Sequence, residues 1–159
     1  MTEEKTRSLQ PRGRYFEEFV VGDKVVSHGR TVTEADIVAF AALTGDYNPL
    51  HCDVEYAKST IFGERIAHGL LGLSIAQGQV ERLGFIAGTV EAFMSLEWKF
   101  RGPIKIGDTI HVEAQVARMK EMRRLGGGLI VFDVAVVNQR DETVQKGQWT
   151  ALIKSKPLR

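Results

Sequence analysis

Hydrophobic residues spread around most of a helix between residues 69 and 83, and small residues among them keep the surface of this helix thin. A helix that is apolar over most of its circumference is usually surrounded by protein. The small residues would also let neighbouring backbone approach closely. The pattern therefore predicts a buried central helix, with Gly84 as its C-terminal stop.

After this helix the hydrophobic period changes to two, which is typical of β-strands. The alternation predicts four long strands, at residues 90–100, 110–116, 129–137 and 144–153. Their connections are short, apart from a loop at 120–128. Because short connections make consecutive strands antiparallel neighbours, the four strands are predicted to pair in chain order. One face of the first strand is predicted to consist of Val90, Ala92, Met94, Leu96, Trp98 and Phe100.

The segment before the central helix predicts a strand and two helices. Residues 25–32 have the composition of a strand. Thr33 is placed as an N-cap, with Asp36 three residues later in a capping-box arrangement, and Gly45 is placed to end the helix that follows. A short helical piece is predicted around residues 54–58.

This order of elements predicts the fold class. One antiparallel sheet and one apolar helix must bury each other, which gives an α+β protein whose sheet wraps around the helix, the hot-dog fold. A sheet this long has edges to protect, so we expect a homodimer or a higher homo-oligomer. Residues 1–14 are predicted to form a flexible N-terminal arm and residues 15–159 a single domain.

Charge and cysteine content narrow the classes of function. The 159 residues include 21 Lys and Arg against 20 Asp and Glu, a formal net charge of +1. This balance argues against nucleic-acid or membrane-surface binding, which depends on an excess of basic residues. Cys52 is the single cysteine, so no intrachain disulfide can form, and we expect a small buried thiol. No apolar run approaches the ~20 residues that span a bilayer and residues 1–14 lack a secretory signal, so we expect a soluble, cytoplasmic protein.

Two candidate catalytic side chains, Asp46 and His51, lie in a polar and glycine-containing segment. Five positions apart, they diverge by about 140° on a continuous helix. In a strand they lie ~16 Å apart on opposite faces. They can converge on one small molecule only if the chain bends between them, and Gly45 and Pro49 favour such a bend. The alternative is that Asp46 caps a turn and His51 lies at the surface.

Gly69, at the start of the central helix, is a candidate for binding a carbonyl oxygen. The first amide groups of a helix have no intrahelical partner and point outward at the positive end of the helix dipole. Because glycine has no side chain to block approach, an oxygen could lie against its N–H, as in an oxyanion hole. The alternative is that Gly69 only lets the chain turn into a tightly packed helix.

A basic segment and the remaining polar residues do not indicate one particular function. Four basic residues precede three consecutive glycines at 126–128, and could either contact the phosphates of a nucleotide-bearing substrate or form a solvated hairpin tip. The glycines lack the strand–turn–helix context of a dinucleotide-binding loop. No grouping of His, Asp and Glu has metal-ligand spacing, so no metal site is predicted. The basic residues are Arg118, Lys120, Arg123 and Arg124.

Three segments carry a resemblance to a known family. The longest reads Phe40-Ala-Ala-Leu-Thr-Gly-Asp-Tyr-Asn-Pro-Leu-His51, with Ala57 six positions later. The others are Ile66-Ala-His-Gly-Leu-Leu71 and Phe100-Arg-Gly-Pro-Ile-Lys-Ile-Gly-Asp-Thr109. Together they make the chain, from about Phe16 onward, resemble the MaoC-like dehydratases, which include the (R)-specific enoyl-CoA hydratases. The resemblance implies a hot-dog fold, in agreement with the order of elements.

The resemblance also implies an activity and a site. It implies a hydro-lyase that converts a trans-2-enoyl-CoA reversibly to a (R)-3-hydroxyacyl-CoA, with an acyl-CoA thioester as partner and no cofactor or metal. Carried over to this sequence, Asp46 and His51 hold and activate a water molecule. Gly69 offers its N–H to the thioester carbonyl, and Asn48 is a supporting residue for positioning the water.

Several alternatives stay open. The substrate could be a branched or dicarboxylic acyl-CoA, or an acyl-carrier-protein thioester, because the motif contacts the thioester and the water rather than the acyl tail. A hot-dog thioesterase would release free CoA. A non-catalytic subunit would bind acyl-CoA without turnover, which the intact pair of Asp46 and His51 argues against.

Overall fold

The computed structural model describes residues 13–158, and residues 1–12 and 159 lie outside the described part. Its helices are α1 (Glu34–Thr44), α2 (Pro49–Cys52), α3 (Val54–Lys58) and α4 (Gly69–Arg82). Its strands are β1 (Lys24–Val26), β2 (Arg30–Thr31), β3 (Val90–Phe100), β4 (Thr109–Met122), β5 (Gly127–Val137) and β6 (Thr143–Lys154). Single 3-10 turns lie at Phe16–Glu18 and Arg123–Leu125. All strands belong to one antiparallel arrangement beside α4, so the predicted α+β class is confirmed.

The order of the strands differs from the prediction. The sheet runs β1-β4-β5-β6-β3, with β2 paired to β4, so β3 pairs with β6 and the predicted pairing of β3 with β4 is wrong. The reason lies in residues 101–108, which do not form a hairpin. Ile104 of this connection is buried, and its carbonyl accepts the N–H of Ala67 at 2.8 Å, so the connection crosses beside the start of α4.

Strand β3 also differs in the face that each side chain takes. Its register with β6 shifts between Val90 and Ala92 and again between Phe93 and Ser95. Two β-bulges change the alternation between them, since each inserts one unpaired residue. Phe93 therefore pairs opposite the buried Ala151, and its ring lies 5.9 Å from that of Trp149. The prediction that Ala92 and Met94 share one face of the strand with Val90 and Trp98 is wrong for this reason.

The predicted loop at 120–128 is shorter in the structure. Strand β4 continues to Met122, which pairs with Gly127 of β5, because the backbone ladder extends beyond the last buried apolar residue. The basic residues of this tip are therefore strand and 3-10 residues with mostly exposed side chains.

Within residues 13–158, protein covers helix α4 on one side only. Its buried residues are Leu71, Gly72, Ala76, Gln79 and Val80, which face the sheet. The opposite side is open, since Leu70 is 59% exposed and Ser74 and Gly78 are also exposed. The prediction of an enclosed helix is therefore wrong for the single chain. In the described part of the chain, no helix combines the length and the apolar character needed to cross a membrane.

The segment before β1 closes one end of the sheet. Most of the predicted N-terminal arm lies outside the described residues, but Gly13 and Arg14 donate backbone hydrogen bonds to the carbonyls of Gly84 and Phe85. Phe19 is buried, with its ring 6.2 Å from that of Phe85. This segment therefore packs against the end of α4 that is remote from Gly69.

Helix α1 begins and ends as predicted. The hydroxyl of Thr33 accepts the N–H of Asp36, the carboxylate of Asp36 accepts the N–H of Thr33 at 2.8 Å, and Gly45 ends the helix with φ 77°. Burial alone would raise the pKa of Asp36, but the N–H of Thr33 and the guanidinium of Arg30 hold it below its usual value. The capping box is therefore confirmed.

Asp108 fastens the connection before β4 to the hairpin between β5 and β6. Its carboxylate is 6% exposed and accepts hydrogen bonds from the N–H of Lys105 at 2.9 Å and from Gln139 at 2.8 Å. Burial would raise its pKa, but these donors and the charge of Arg140 lower it below the ordinary 3.8. The stability that the ionised Asp108 carboxylate contributes is fully present above its ordinary pKa of 3.8. It is lost as pH falls through the lower pKa that Asp108 has in the folded protein.

We expect Asp108→Asn to lower the free energy of unfolding by about 1–3 kcal/mol at pH 7, since a buried hydrogen-bonded group loses partners. Urea unfolding at pH 7 and pH 3 measures this effect, and the difference from wild type should shrink at pH 3. Asp141→Asn is the control because Asp141 is exposed in the same hairpin and its φ of 60° is one that Asn tolerates. An equal loss in both variants would contradict the prediction.

Candidate active site

The turn after α1 places Asp46. Gly45 adopts the left-handed conformation, and the N–H of Asp46 donates to the hydroxyl of Thr44 at 3.2 Å. The carboxylate of Asp46 accepts the N–H of Asn48 at 3.2 Å, which folds the chain back in an Asx turn. The predicted bend between Asp46 and His51 is therefore present, and Asp46 is exposed at its outer side.

His51 lies on α2, a single helical turn that the sequence analysis did not predict. Asn48 is its N-cap, with the side-chain oxygen accepting the N–H of Leu50 at 3.0 Å, and Pro49 takes the first helical position. This capping bond uses one lone pair of the side-chain oxygen of Asn48 and leaves its amide NH2 group free for contact with water.

The imidazole of His51 has one nitrogen in use. Its Nδ1 lies 2.7 Å from the carbonyl oxygen of Ile66. Because a carbonyl oxygen only accepts, Nδ1 carries a proton in this contact. Nε2 is therefore the nitrogen that can exchange a proton with a bound molecule.

A third side chain, His68, joins the pair. One carboxylate oxygen of Asp46, one ring nitrogen of His51 and one of His68 all lie within 4.8 Å of one another. No role for His68 could be predicted from the sequence, because spacing along the chain does not show which segments meet. One signal was available. His68 is the N-cap of α4, where Ser, Thr, Asp and Asn are favoured, and its side chain makes no capping bond.

These three residues have ligand-type atoms, but their geometry favours acid–base chemistry over metal binding. The rings of His51 and His68 stack at 3.9 Å with 28° between their planes. Imidazole lone pairs lie in the ring plane, so stacked rings do not converge on one ion. Each ring also uses one nitrogen on a backbone carbonyl, that of Ile66 or that of Asp46.

The first turn of α4 presents free backbone N–H groups at the cavity that His51 also lines. In the described residues, the N–H groups of Gly69 and Leu70 donate to no protein acceptor. The helix lies very close to the sheet here, because a Cβ built on Gly69 would be 2.7 Å from the ring of Phe100. The carbonyl of Gly69 accepts the side-chain amide of Gln145 at 3.0 Å, which ties the helix start to β6. Glycine is therefore required by close approach as well as by access.

A cavity of about 690 Å³ opens at this helix start. His51 and Gly69 both line it, while Asp46 is not among its lining residues. Its walls are mostly apolar, and Arg101 is the one Lys or Arg side chain among the described residues that line it. The basic residues of the β4–β5 tip do not line it. The full lining is Leu50, His51, Phe62, Ile66, Ala67, Gly69, Leu70, Phe100, Arg101, Gly102, Pro103, Ile104 and Gln145.

Cys52 follows His51 on α2 and is exposed, so the prediction of a buried thiol is wrong. The reason is that α2 is short and lies at the surface, with no buried residue of its own.

Comparison with known proteins decides the family. A family model described as a MaoC-like domain matches residues 18–137. The chain belongs to the MaoC-like domain family. The resemblance of its motifs to MaoC-like dehydratases is thereby confirmed.

Three relatives of this MaoC-like chain are informative. Protein MaoC of Klebsiella aerogenes is 39% identical over 110 residues, 69% of this chain and 32% of that protein. The (R)-specific enoyl-CoA hydratase of Rhodospirillum rubrum is 35% identical over 96 residues, 60% of this chain and 65% of that protein. A mitochondrial 3-hydroxyacyl-acyl-carrier-protein dehydratase of Arabidopsis thaliana is 35% identical over 134 residues, 84% of this chain and 76% of that protein.

Solved structures resemble the whole described domain. The monoamine oxidase regulatory protein from Archaeoglobus fulgius is 42% identical with a TM-score of 0.86, over 91% of this chain and 97% of that one. A Mycobacterium tuberculosis protein described as a double hot-dog fold is 20% identical with a TM-score of 0.80, over 91% of this chain and 45% of that one. The second likeness concerns the fold alone, and it confirms the predicted hot-dog fold.

Proposed function

We propose that this protein catalyses the reversible hydration of a trans-2-enoyl-CoA to a (R)-3-hydroxyacyl-CoA. The observation that carries the proposal is that Asp46 converges with His51, and that His51 lines the same cavity as Gly69, whose N–H is free within the described residues. Adding water to an unsaturated thioester needs a base, an acid and a donor to the thioester oxygen, and a carboxylate, an imidazole and a backbone amide can fill these roles. The relative named as an (R)-specific enoyl-CoA hydratase supports the same activity and stereochemistry.

In the proposed step Asp46 starts as a carboxylate and His51 as an imidazolium. Asp46 takes one proton from water, and the water oxygen bonds to C3 of the substrate. His51 gives its Nε2 proton to C2, so the carbon–carbon double bond becomes single and one water has been added. Proton transfer from Asp46 to His51 then restores the starting state. General acid–base catalysis of this kind contributes typically ~10²–10⁴-fold.

The amide of Gly69 has the role of binding the thioester oxygen. While water adds to C3, negative charge collects on this oxygen as an enolate. A helix N-terminal N–H stabilises this charge, since its dipole is already oriented before the reaction. Asn48 supports the step with its free amide NH2, which can hold the water. The proposed steps use no cofactor and no metal.

We also include a homodimer in this proposal. Strand β3 lies at one edge of the sheet and exposes large apolar side chains, while the outer side of α4 is open. Pairing two β3 edges would cover both surfaces beside the site. The exposed apolar residues of β3 are Phe93, Met94, Leu96 and Phe100.

We expect Met94→Lys to shift the protein from dimer to monomer in sedimentation velocity, because a charge on an edge strand opposes pairing. Val26→Lys is the matched control, since Val26 is an exposed apolar residue on the opposite edge strand β1. A monomeric wild type would overturn the dimer, and loss of the dimer only in Val26→Lys would assign the interface to the other edge.

A panel of thioesters tests the proposed activity. It contains short, long, branched and dicarboxylic trans-2-enoyl-CoA substrates, and the same acyl groups on acyl carrier protein. We expect loss of enoyl absorbance with at least one CoA ester and a (R)-3-hydroxy product on a chiral column. The acyl-carrier-protein dehydratase among the relatives makes the carrier arm the second candidate, which turnover of carrier thioesters alone would favour.

Two other results would overturn the proposal. Release of free thiol would indicate a thioesterase, and binding of acyl-CoA without turnover would indicate a non-catalytic subunit.

The proposal takes residues 15–159 as one catalytic domain acting in the cytoplasm. A protein of residues 15–159 should therefore keep the activity of the 159-residue chain.

A further inference from the structure

His68 contacts each of the three groups to which the proposed function gives a role. Its ring stacks on that of His51, with centroids 3.9 Å apart. Its Nε2 lies 2.9 Å from the carbonyl oxygen of Asp46. It directly precedes Gly69 as the N-cap of α4, and its own carbonyl accepts the N–H groups of Leu71 and Gly72. No role for His68 follows from the proposed chemistry itself.

The ring of His68 is held firmly in this position. The residue is 2% exposed, and the ring of Phe40 contacts it with centroids 5.0 Å apart. Side chains in close-packed interiors occupy defined rotamers, so the ring has little freedom to turn. A fixed ring can transmit its position to the exposed turn that carries Asp46 and to the half-buried ring of His51.

The hydrogen bonds of His68 favour its neutral form. Because the Asp46 carbonyl accepts, Nε2 carries the proton. Nδ1 is buried and has no hydrogen-bond partner in the described part of the chain. A proton on Nδ1 would be a buried donor without an acceptor, which costs free energy. It would also place positive charge against the ring of His51, which the proposed mechanism uses as an imidazolium. His68 is therefore unsuited to donate or accept the proton itself.

We propose that His68 is a positioning residue that holds the backbone of Asp46 and the ring plane of His51 in fixed relation to the N–H of Gly69. The proposal rests on the hydration activity proposed above. It assigns two separable contacts to one side chain, the hydrogen bond to Asp46 and the stack on His51. Small displacements of reacting groups are costly, since a misplacement of 1 Å can reduce a rate ~10²-fold.

Two variants separate these contacts. His68→Phe keeps an aromatic ring for stacking but loses the donor to Asp46, and His68→Gln keeps an N–H donor but loses the stack. We expect kcat to fall ~10–100-fold in each, with KM changed less than about threefold, because positioning acts on the reaction rather than on binding. The single substitution His68→Ala should lose both contacts and be slower than either of these variants. His111→Phe, on β4 and outside the site, is the matched control and should keep wild-type kcat.

A spectroscopic measurement tests His68 independently of turnover. Long-range proton–nitrogen correlation spectra at pH 7 should show His68 as the neutral tautomer protonated at Nε2. In His68→Phe, the ring nitrogen signals of His51 should change, whereas they should not change in His111→Phe. These spectra apply even if wild type turns over no member of the thioester panel, a result that would count against the proposed function alone.

The outcomes decide the proposal. Unchanged kcat in folded His68→Phe and His68→Gln would overturn it, as would an effect confined to KM. A charged His68 or a proton on Nδ1 would also overturn it. Should every variant lose its cooperative melting transition, His68 would be a structural residue only, and the positioning role would be wrong.

Discussion

An Asp46→Asn variant is expected to keep the fold of the wild type and to lose ~10²–10⁴-fold in kcat on the best substrate of the panel. The loss follows because an amide cannot take the proton from water. The fold should persist because Asp46 is exposed and, within the described residues, its carboxylate accepts one hydrogen bond, from the N–H of Asn48. The side-chain oxygen of asparagine can accept the same bond. Initial rates from enoyl absorbance and a melting curve measure both parts.

Asp133→Asn is the control for this charge change. Asp133 is exposed on β5, where its carboxylate accepts one hydrogen bond among the described residues, from the side chain of Gln148, so activity should equal that of wild type. Activity of Asp46→Asn within about threefold of wild type, with a hydrated product, would contradict the assignment of Asp46 as the base.

His51→Asn extends the same test. Asparagine places its amide nitrogen near the position of Nδ1 and can keep the hydrogen bond to Ile66, but it lacks a second nitrogen to exchange a proton. Groups that act as one unit show strongly non-additive effects. We therefore expect kcat of the double variant Asp46→Asn/His51→Asn to lie within about tenfold of kcat of each single variant. Full multiplication of the two losses would indicate independent roles.

The turn that carries Asp46 and His51 could be predicted because its signals are local. Thr33 and Asp36 cap α1, Gly45 ends it, and Pro49 opens the next turn, each through backbone preferences of the residue itself. Short-range chemistry of this kind is decided within a few residues. The bend between the two candidate catalytic residues follows from it without knowledge of the rest of the chain.

The neighbour of β3 and the role of His68 could not be predicted in this way. Strand β3 pairs with β6, while the connection at residues 101–108 packs against Ala67 through the carbonyl of Ile104. This contact joins segments that are distant in the sequence. His68 meets His51 only after both segments pack beside α4. The bulges that place Phe93 opposite Ala151 likewise depend on the partner strand. Such features belong to packing rather than to periodicity.

Gly69→Ala is expected to cost about 10²-fold in kcat. The added methyl group would lie 2.7 Å from Cε1 of Phe100, a distance that requires one of the two to move. If the start of α4 moves, the N–H of residue 69 leaves its place, and loss of one oxyanion-hole donor typically costs ~10²–10³-fold. If the ring moves instead, it enters the cavity that both residues line.

A second substitution tests whether the contact with Phe100 causes the loss of kcat in Gly69→Ala. Gly69→Ala/Phe100→Leu removes the ring that the methyl group would strike, and it should recover about tenfold or more of the lost kcat if position of the N–H is the cause. Gly78→Ala is the control on the same helix, because its Cβ would meet nothing within 4 Å. That variant should keep full activity and gain roughly 0.5–1 kcal/mol of stability from helix propensity. Wild-type kcat in Gly69→Ala would contradict the oxyanion role of the Gly69 N–H. Equal losses of kcat in Gly69→Ala and Gly78→Ala would indicate a general effect on the helix rather than displacement of that N–H.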